Sequence, residues 1–430
     1  MTIPVYILIM MQPLLFFLSR KILERHKPKI VGITGSVGKT SAKDMINIVL
    51  QGTISVRATE KNYNNELGVP LTIIGAGAPG KSVIRWMYLL VRGFSQAFFY
   101  NRQYPRVLVL EMGADHVGDI AKLTNLAPCD IGVLTWVGEA HYEFFNSVEA
   151  LVAEKKIIVT HLMKNGVAIG DIDNDYVRGI MNSALRAQTK VTTSLFQESD
   201  YRVRNIAVYG EGKIDGVAGV VSLGDEKILL RLPGCLGDAY FHSAMLACAV
   251  GAQFGVGLHL AVQRLSELFV GTPSRMRLLP GIKGTYLIDD SYNASPTAMF
   301  LALDALLRAP AKRKIAVLGD MRELGKISEK SHREVGEFIA RSRVDILVCV
   351  GEMARDYVRA AKDAGMDEDH VFHFSDSVSA GKFLQERIEM GDLLLIKGSQ
   401  GVRMEKVVVE LMADPLRASE LVCRQYGKWK

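Results

Sequence analysis

Short apolar runs recur along the chain, and each stops at small or polar residues. Residues 30–33 give way to Thr34-Gly35-Ser36-Val37-Gly38, residues 107–110 to Glu111, and residues 131–136 to a stretch holding Gly138 and His141. Uninterrupted apolar runs of this kind predict strands buried on both faces, as in parallel sheets. Between them the apolar spacing becomes helical. One helix is expected from Lys39 onward. Another is expected from Ser147, with Ser147 as N-cap, Glu149 in the first turn and Val148, Leu151, Val152 and Ile158 on one face. Strand and helix in alternation predict an α/β architecture with a mostly parallel sheet. Residues 190–235 differ: 220–223 and 228–232, separated by Gly and Asp, read as strands at a domain edge, and helical spacing returns over 240–270. A second α/β unit begins near 275, with strands expected at 286–288, 314–318, 346–350 and 393–396 and a helix capped by Ser295 with Pro296 at its first position. Repeated strand–helix–strand units again mean a doubly wound sheet, and the boundary falls over 271–277.

The N-terminus departs from this rhythm. Residues 3–18, IPVYILIMMQPLLFFL, are apolar apart from Tyr6 and Gln12 and are followed by Arg20, Lys21, Arg25, Lys27 and Lys29. A bilayer span needs about 20 apolar residues, so this stretch is short, and Pro13 is expected to interrupt it. It lacks the basic leader and small-residue cleavage site of a signal peptide, and the basic cluster would hold the rest of the chain in the cytoplasm. Two readings stand: a helix attached to the inner face of the cytoplasmic membrane, or a hydrophobic segment packed on the first domain. A second stretch, residues 83–100, reads first as a buried helix and second as a membrane-facing surface.

Bulk properties narrow the function classes. A chain of 430 residues with 49% apolar and 23% charged residues is an ordered protein of two or three domains. The 52 basic against 46 acidic residues are too small an excess to imply nucleic acid. Five dispersed cysteines with no C-x-x-C pair make neither a disulfide framework nor a zinc ribbon, which fits a reducing cytoplasm.

The chemistry concentrates in VGITGSVGKTSAKD, residues 31–44. A strand, a glycine-rich turn and a helix start form a phosphate cradle: the turn from Thr34 through Gly35, Ser36 and Gly38 directs N–H groups inward. Lys39 can meet the β/γ-phosphates, the Thr40 hydroxyl can ligate Mg²⁺, and Ser41 completes the first turn. The strict pattern has Gly at position 33, whereas this chain has Ile33 and Gly32. Glu111, at the carboxyl end of a buried strand, is placed to hold the Mg²⁺ of a nucleotide. His141 lies at the same sheet edge, although a lone His is more often a structural residue. Lys155 is about two turns into the helix from Ser147, where a lysine is usually solvated. Read from the residues alone, these features amount to an ATP–Mg²⁺ domain with suggestive neighbours.

Seven segments, TGSVGKT, KNYNNELGVPLT, EMGADHVGDI, GEAHYEFFNSVEALVAEKK, DDSYNASPTAM, LGDMRELG and LIKGSQGVRME, occur in an order that resembles the Mur ligase family, most closely its D-alanyl-D-alanine-adding branch. The likeness runs from about residue 29 to the C-terminus. It implies a P-loop-type central domain over 29–274, a Rossmann-like C-terminal domain over 275–430, and a separate apolar segment over 1–28. It implies ATP and two Mg²⁺ ions as cofactors. Lys39 and Thr40 would contact phosphate and metal, Asn65 would belong to the N-x-x-G-x-P nucleotide loop, and Glu111 and His141 would be metal ligands. Lys155, with Lys156 as fallback, would be carbamylated to provide a further carboxylate ligand. Arg275, Asp290, Tyr292 and Asn293 would meet nucleotide and close the domains, and Asp320, His332 and Lys397 would face the incoming amine. The implied reaction activates a substrate carboxylate as an acyl phosphate and adds D-alanyl-D-alanine to a nucleotide-sugar peptide.

Two departures stand out. The resemblance leads one to expect a uridine-gripping N-terminal domain, for which the 28 residues before the first strand leave no room. The remaining domains, a partner protein or a membrane-linked acceptor would then supply that recognition. The family's G-x-H-N-x-x-N-A pattern falls on Gly237, Ala239, Tyr240, Ser243 and Ala244, so both asparagines are missing. A second enzyme reading is a ligase of the folylpolyglutamate synthase or cyanophycin type. A non-enzyme reading is a membrane-tethered nucleotide-binding scaffold. A GTPase is disfavoured because N-K-x-D is absent.

Overall fold

Two sheets organise the chain. The structure is a computed structural model that describes residues 5–60, 63–80, 82–138, 145, 147–183 and 189–425, with side chains described from residue 11. The first half contains α1 (Val5–His26), β1 (Lys29–Thr34), α2 (Lys39–Leu50), β2 (Val56–Ala58), α3 (Gly68–Ile74), α4 (Val83–Phe98), β3 (Val107–Glu111), α5 (Asp119–Leu126), β4 (Cys129–Leu134), α6 (Val148–Thr160) and β5 (Leu162–Asp171). There follow α7 (Asp175–Ser183), β6 (Thr189–Ser194), β7 (Tyr201–Tyr209), β8 (Gly216–Leu223), β9 (Glu226–Pro233), α8 (Ala239–Ala252) and α9 (Leu258–Leu268). Their nine strands form one sheet, ordered β2-β3-β1-β4-β5-β6-β7-β8-β9. It is parallel as far as β7, and β8 and β9 close the edge as antiparallel neighbours.

The central strands are apolar throughout because both faces are covered. Val31, Ile33, Val107, Val109, Ile131 and Val133 point into a core shared with α2, α8 and α9, while Ile30, Leu108, Leu110 and Leu134 point into a second core with α1, α3, α4, α5 and α6. This alternation is the period-two geometry of a strand read on a doubly covered sheet. Gly32 has a packing role: a Cβ there would lie 2.4 Å from Cys129 Sγ. The glycine missing from position 33 is therefore replaced by core packing, since Ile33 is fully buried.

The second half holds β10 (Arg277–Pro280), β11 (Tyr286–Asp290), α10 (Pro296–Arg308), β12 (Lys314–Gly319), α11 (Ser328–Ala340), β13 (Ile346–Val350), α12 (Arg355–Asp363), β14 (Val371–Phe374), α13 (Ser377–Arg387), β15 (Leu393–Lys397) and α14 (Glu405–Leu411). Its six strands run β10-β11-β15-β12-β13-β14, all parallel except β10. The α2/α8/α9 core continues through Met276, Leu278 and Met299 into the inner face of this sheet, so the two units share buried apolar surface.

Three expectations need correction. The run 131–136 ends as a strand at Leu134, because the chain then peels away and Trp136 pairs with Val37 of the phosphate loop. Pro13 does not interrupt α1, which passes through it. Residues 83–100 are not a buried helix. Trp86, Leu89 and Gly93 face inward, but the opposite face exposes large apolar side chains such as Ile84 and Val91. For the N-terminal segment, Leu15, Leu18 and Ile22 are fully buried against the first unit. Among the described residues no helix is long and apolar enough to cross a membrane.

Candidate functional site

The cleft lies at the carboxyl ends of β1, β3 and β4, where the two sheets face one another, and has a volume of about 830 Å³. Its floor is the turn between β1 and α2. Gly35 and Gly38 have φ of 152° and 87°, and a Cβ at Gly35 would lie 2.0 Å from Thr135 Oγ1, so the loop closes only with glycine there. No side chain caps α2, and Gly38, Lys39, Thr40 and Ser41 line the cleft, which leaves the first-turn N–H groups for an anion. Ser36 is tied to Gly138 through its hydroxyl. Thr34 is not at the surface of the cradle; it is buried, with its hydroxyl donating to the Met112 carbonyl.

Lys39 folds over the loop, donating to the carbonyls of Gly35 at 2.6 Å and Ser36 at 3.4 Å. Burial lowers its pKa; Glu111 opposes that shift and Arg275 adds to it. Thr40 donates to Glu111 at 2.9 Å, and Asn64 donates to the other carboxylate oxygen at 3.2 Å. Glu111 is 2% exposed. A buried carboxylate with only neutral donors around it, beside a hydroxyl and a phosphate-type loop, is a fit for a hard divalent cation.

Lys155 lies on α6, whose N-cap is Ser147 as expected, with the hydroxyl accepting from Ala150 N–H. The side chain is 2% exposed and has no hydrogen bond or ion pair among the described residues. Burial, followed by repulsion from Lys39, pushes its pKa down to about 7. Lys156, the fallback, is partly exposed. Glu154 beside it accepts from Gly118 and Ile120 N–H and so anchors the start of α5. His141 lies outside the described residues.

The opposite wall comes from the second unit. Arg275 stacks on the Tyr292 ring at 4.1 Å, and Asp290 receives Lys397 at 2.6 Å and Met276 N–H at 3.1 Å. Lys397 also donates to the Asn293 carbonyl at 3.0 Å. All six line the cleft.

Other expected residues are placed elsewhere or used differently. Asn65 accepts from Leu67 and Gly68 N–H and so starts α3, while its neighbour Asn64 reaches Glu111. Asp320 accepts from Ala354 N–H. His332 is fully buried, accepting from Met321 N–H at Nε2 and meeting the Ser328 carbonyl at Nδ1, and burial lowers its pKa. Neither Asp320 nor His332 is in the cleft wall, because their polar atoms serve the loop around β12.

Sequence reading missed Asn64, Asp115, Trp136, Asp171 and His242, all of which line the cleft. His242 approaches Asp171 at 2.5 Å and sits edge-on to Trp136. Burial lowers its pKa, but Asp171, with Asp173 and Asp238 behind it, outweighs that and raises it. Ser243, where one asparagine was missing, is in the cleft wall near Gly38, and Tyr240 is buried with its hydroxyl on the Arg275 carbonyl.

Residues 33–81 and 93–250 match the Mur ligase middle domain, and residues 274–400 match the Mur ligase glutamate ligase domain. The chain is 30% identical to the UDP-N-acetylmuramoyl-tripeptide--D-alanyl-D-alanine ligase of Bacillus subtilis over 93% of this chain and 79% of that protein. It is 29% identical to the ligase of that name from Escherichia coli over 90% of this chain and 77% of that one. Its fold superposes on the MurF ligase of Thermotoga maritima in complex with ADP with a TM-score of 0.76 and 28% identity, covering 92% of this chain and 82% of that one. A folylpolyglutamate synthase of Mycobacterium tuberculosis shares the fold with a TM-score of 0.62 at 13% identity. Sequence, fold and cleft therefore agree that the chain belongs to the Mur ligase family.

Proposed function

We propose that this protein is an ATP-dependent ligase that joins D-alanyl-D-alanine to UDP-N-acetylmuramoyl-tripeptide through an acyl phosphate. The observation that carries the reading is the buried junction of Thr40, Glu111 and Asn64 beside Lys39, at a cleft walled by both units. In this reading residues 29–274 bind ATP and residues 275–430 close over it. The first-turn N–H groups of α2 and Lys39 hold the phosphates, with Lys39 exchanging its loop carbonyls for phosphate oxygens. Thr40, Glu111, His141 and a carbamylated Lys155 would hold magnesium ions, which supply charge neutralisation of the phosphate oxygens. Lys155 suits carbamylation because a pKa of about 7 leaves much of the amine neutral and able to add to CO₂.

Arg275, held by Tyr292, faces the same cleft and adds positive charge where the triphosphate would lie. The substrate carboxylate oxygen attacks the γ-phosphorus and ADP leaves. The dipeptide amine then attacks the acyl carbon, loses its proton, and phosphate departs with the bonding electrons. Asp290, Asn293 and Lys397 line the cleft from the second unit, and that unit would position the amine and keep water from the acyl phosphate. A cytoplasmic site, where ATP is supplied, belongs to the same reading, and so does a partner or membrane contact that assists uridine recognition.

The test is phosphate release with ATP, Mg²⁺, UDP-N-acetylmuramoyl-tripeptide and D-alanyl-D-alanine, with the product identified by mass spectrometry. Pentapeptide formation is the expected result. ATP binding with no product would overturn this substrate pair and point to another carboxylate acceptor or amine.

A further inference from the structure

Helix α4 is apolar on two opposite faces. Trp86, Leu89 and Gly93 turn inward, and Gly93 lets α1 approach so closely that a Cβ there would lie 3.1 Å from Leu18 Cδ1. On the other side, Ile84, Met87, Tyr88, Val91, Phe94 and Phe98 form one stripe at helical spacing, with Ile84 79% and Val91 67% exposed. Scattered exposed apolar residues need no explanation, but a continuous stripe of six large ones on one helix face does.

The surroundings identify what covers it. Between Leu67 and Leu110 there is no acidic residue, against Lys81, Arg85, Arg92, Arg102 and Arg106. At 100° per residue Arg85 and Arg92 fall along one flank of the stripe; Arg92 is held by the Ile74 carbonyl and the Tyr88 hydroxyl, while the exposed Arg85 can keep its charge in a headgroup layer. Helix α1 continues the surface. Leu18 meets Gly93, while Arg25 and His26 reach the carbonyls of Ala97 and Gln96, so the N-termini of α1 and α4 lie toward the same end. No charged residue occurs in the chain before Arg20, and Phe17 is 48% exposed. A second copy of this face would bring its uncompensated bases against their own kind. An anionic lipid surface complements both the stripe and its rim.

We propose that the outer face of α4, extended by the uncharged N-terminal part of α1, docks the enzyme in the plane of an anionic membrane surface. The helices lie on the bilayer, consistent with the absence of a described helix able to cross it. This inference is independent of the acceptor assigned above, because none of the stripe residues lines the cleft.

The experiment is co-sedimentation of the full chain with vesicles of phosphatidylcholine alone and of phosphatidylcholine with phosphatidylglycerol, at low and high salt, alongside analytical ultracentrifugation without lipid. Binding to the anionic vesicles is expected, weakened at least tenfold by high salt and by the double variant I84E/V91E. That variant should keep the wild-type Tm, because both side chains are exposed. R85E should weaken binding to anionic vesicles and leave any residual binding to neutral ones unchanged. No binding to either vesicle would overturn the proposal. So would binding that I84E/V91E leaves intact, which would assign it to the N-terminal residues alone, or a lipid-free dimer that the variant dissociates.

Discussion

The charges around the phosphate loop and those around Asp290 are handled in opposite ways. Around the phosphate loop, the half-buried Lys39 has no carboxylate partner among the described residues, Glu111 is a buried carboxylate touched only by neutral groups, and the buried amine of Lys155, which feels the Lys39 charge, is unpaired as well. On the second unit's wall Lys397 is paired with Asp290, and close by the buried Glu405 is paired with Arg424, which also reaches the carbonyls of Ser291 and Tyr292. Unpaired buried charge costs stability, so its retention on one wall marks where a charged ligand is meant to complete the arrangement. The Asp290–Lys397 pair is already complete and holds the Asn293 loop through the carbonyl that Lys397 also reaches.

Removing an unpaired charge should therefore abolish activity while relieving the fold, and breaking a pair should do the reverse. The largest effect is expected for Lys39→Ala, with kcat down about 1,000-fold, the scale of losing a central electrostatic contact to the transferring phosphoryl group. Lys155→Ala should lose about 100-fold on the same scale and regain part of it with added formate. Full activity in that variant without a short carboxylate would exclude the carbamate. On the second unit, Arg424→Ala should cost about 3 kcal/mol in urea unfolding, because it leaves the buried Glu405 with Arg403 as its remaining charged partner and strips the Ser291 and Tyr292 carbonyls of their donor.

The pH dependence separates the walls further. With the Lys155 pKa near 7, its neutral form falls about tenfold per pH unit below that point, so activity limited by carbamylation should fall on the acid side and be restored by bicarbonate. The unfolded lysine holds its proton up to about 10.5, so between about 7 and 10.5 the unfolded state binds more protons and this group makes stability rise with pH. In CO₂-free buffer Lys155→Met should accordingly raise Tm most at pH 6. The smallest catalytic effect is expected for His332→Asn: a stability loss of about 1–2 kcal/mol from its two internal hydrogen bonds, with kcat changed less than about threefold.

Legibility in the sequence followed the range of the interactions. The cradle from Gly35 to Thr40 was readable because a strand, a left-handed glycine and a helix start are contiguous, and Glu111 because it ends an unbroken apolar run. Asn64 was hidden behind Asn65: both are asparagines of one loop, and only packing decides that Asn65 starts α3 while Asn64 turns to Glu111. His242 and Asp171 lie on different elements, so no local pattern links them. His332, which the family resemblance implied would face the incoming amine, is fully buried, and burial is not visible in a sequence.

Short-range order of apolar, small and polar residues is enough to specify the strand–helix alternation, the phosphate loop, the α6 N-cap and the family. Which charges are left unpaired, which polar groups are consumed by the fold, and which face of α4 remains outside emerge from packing between distant segments. Those properties depend on what lies across the chain from a residue, and desolvation, which sets their energy, is a property of the assembled surroundings.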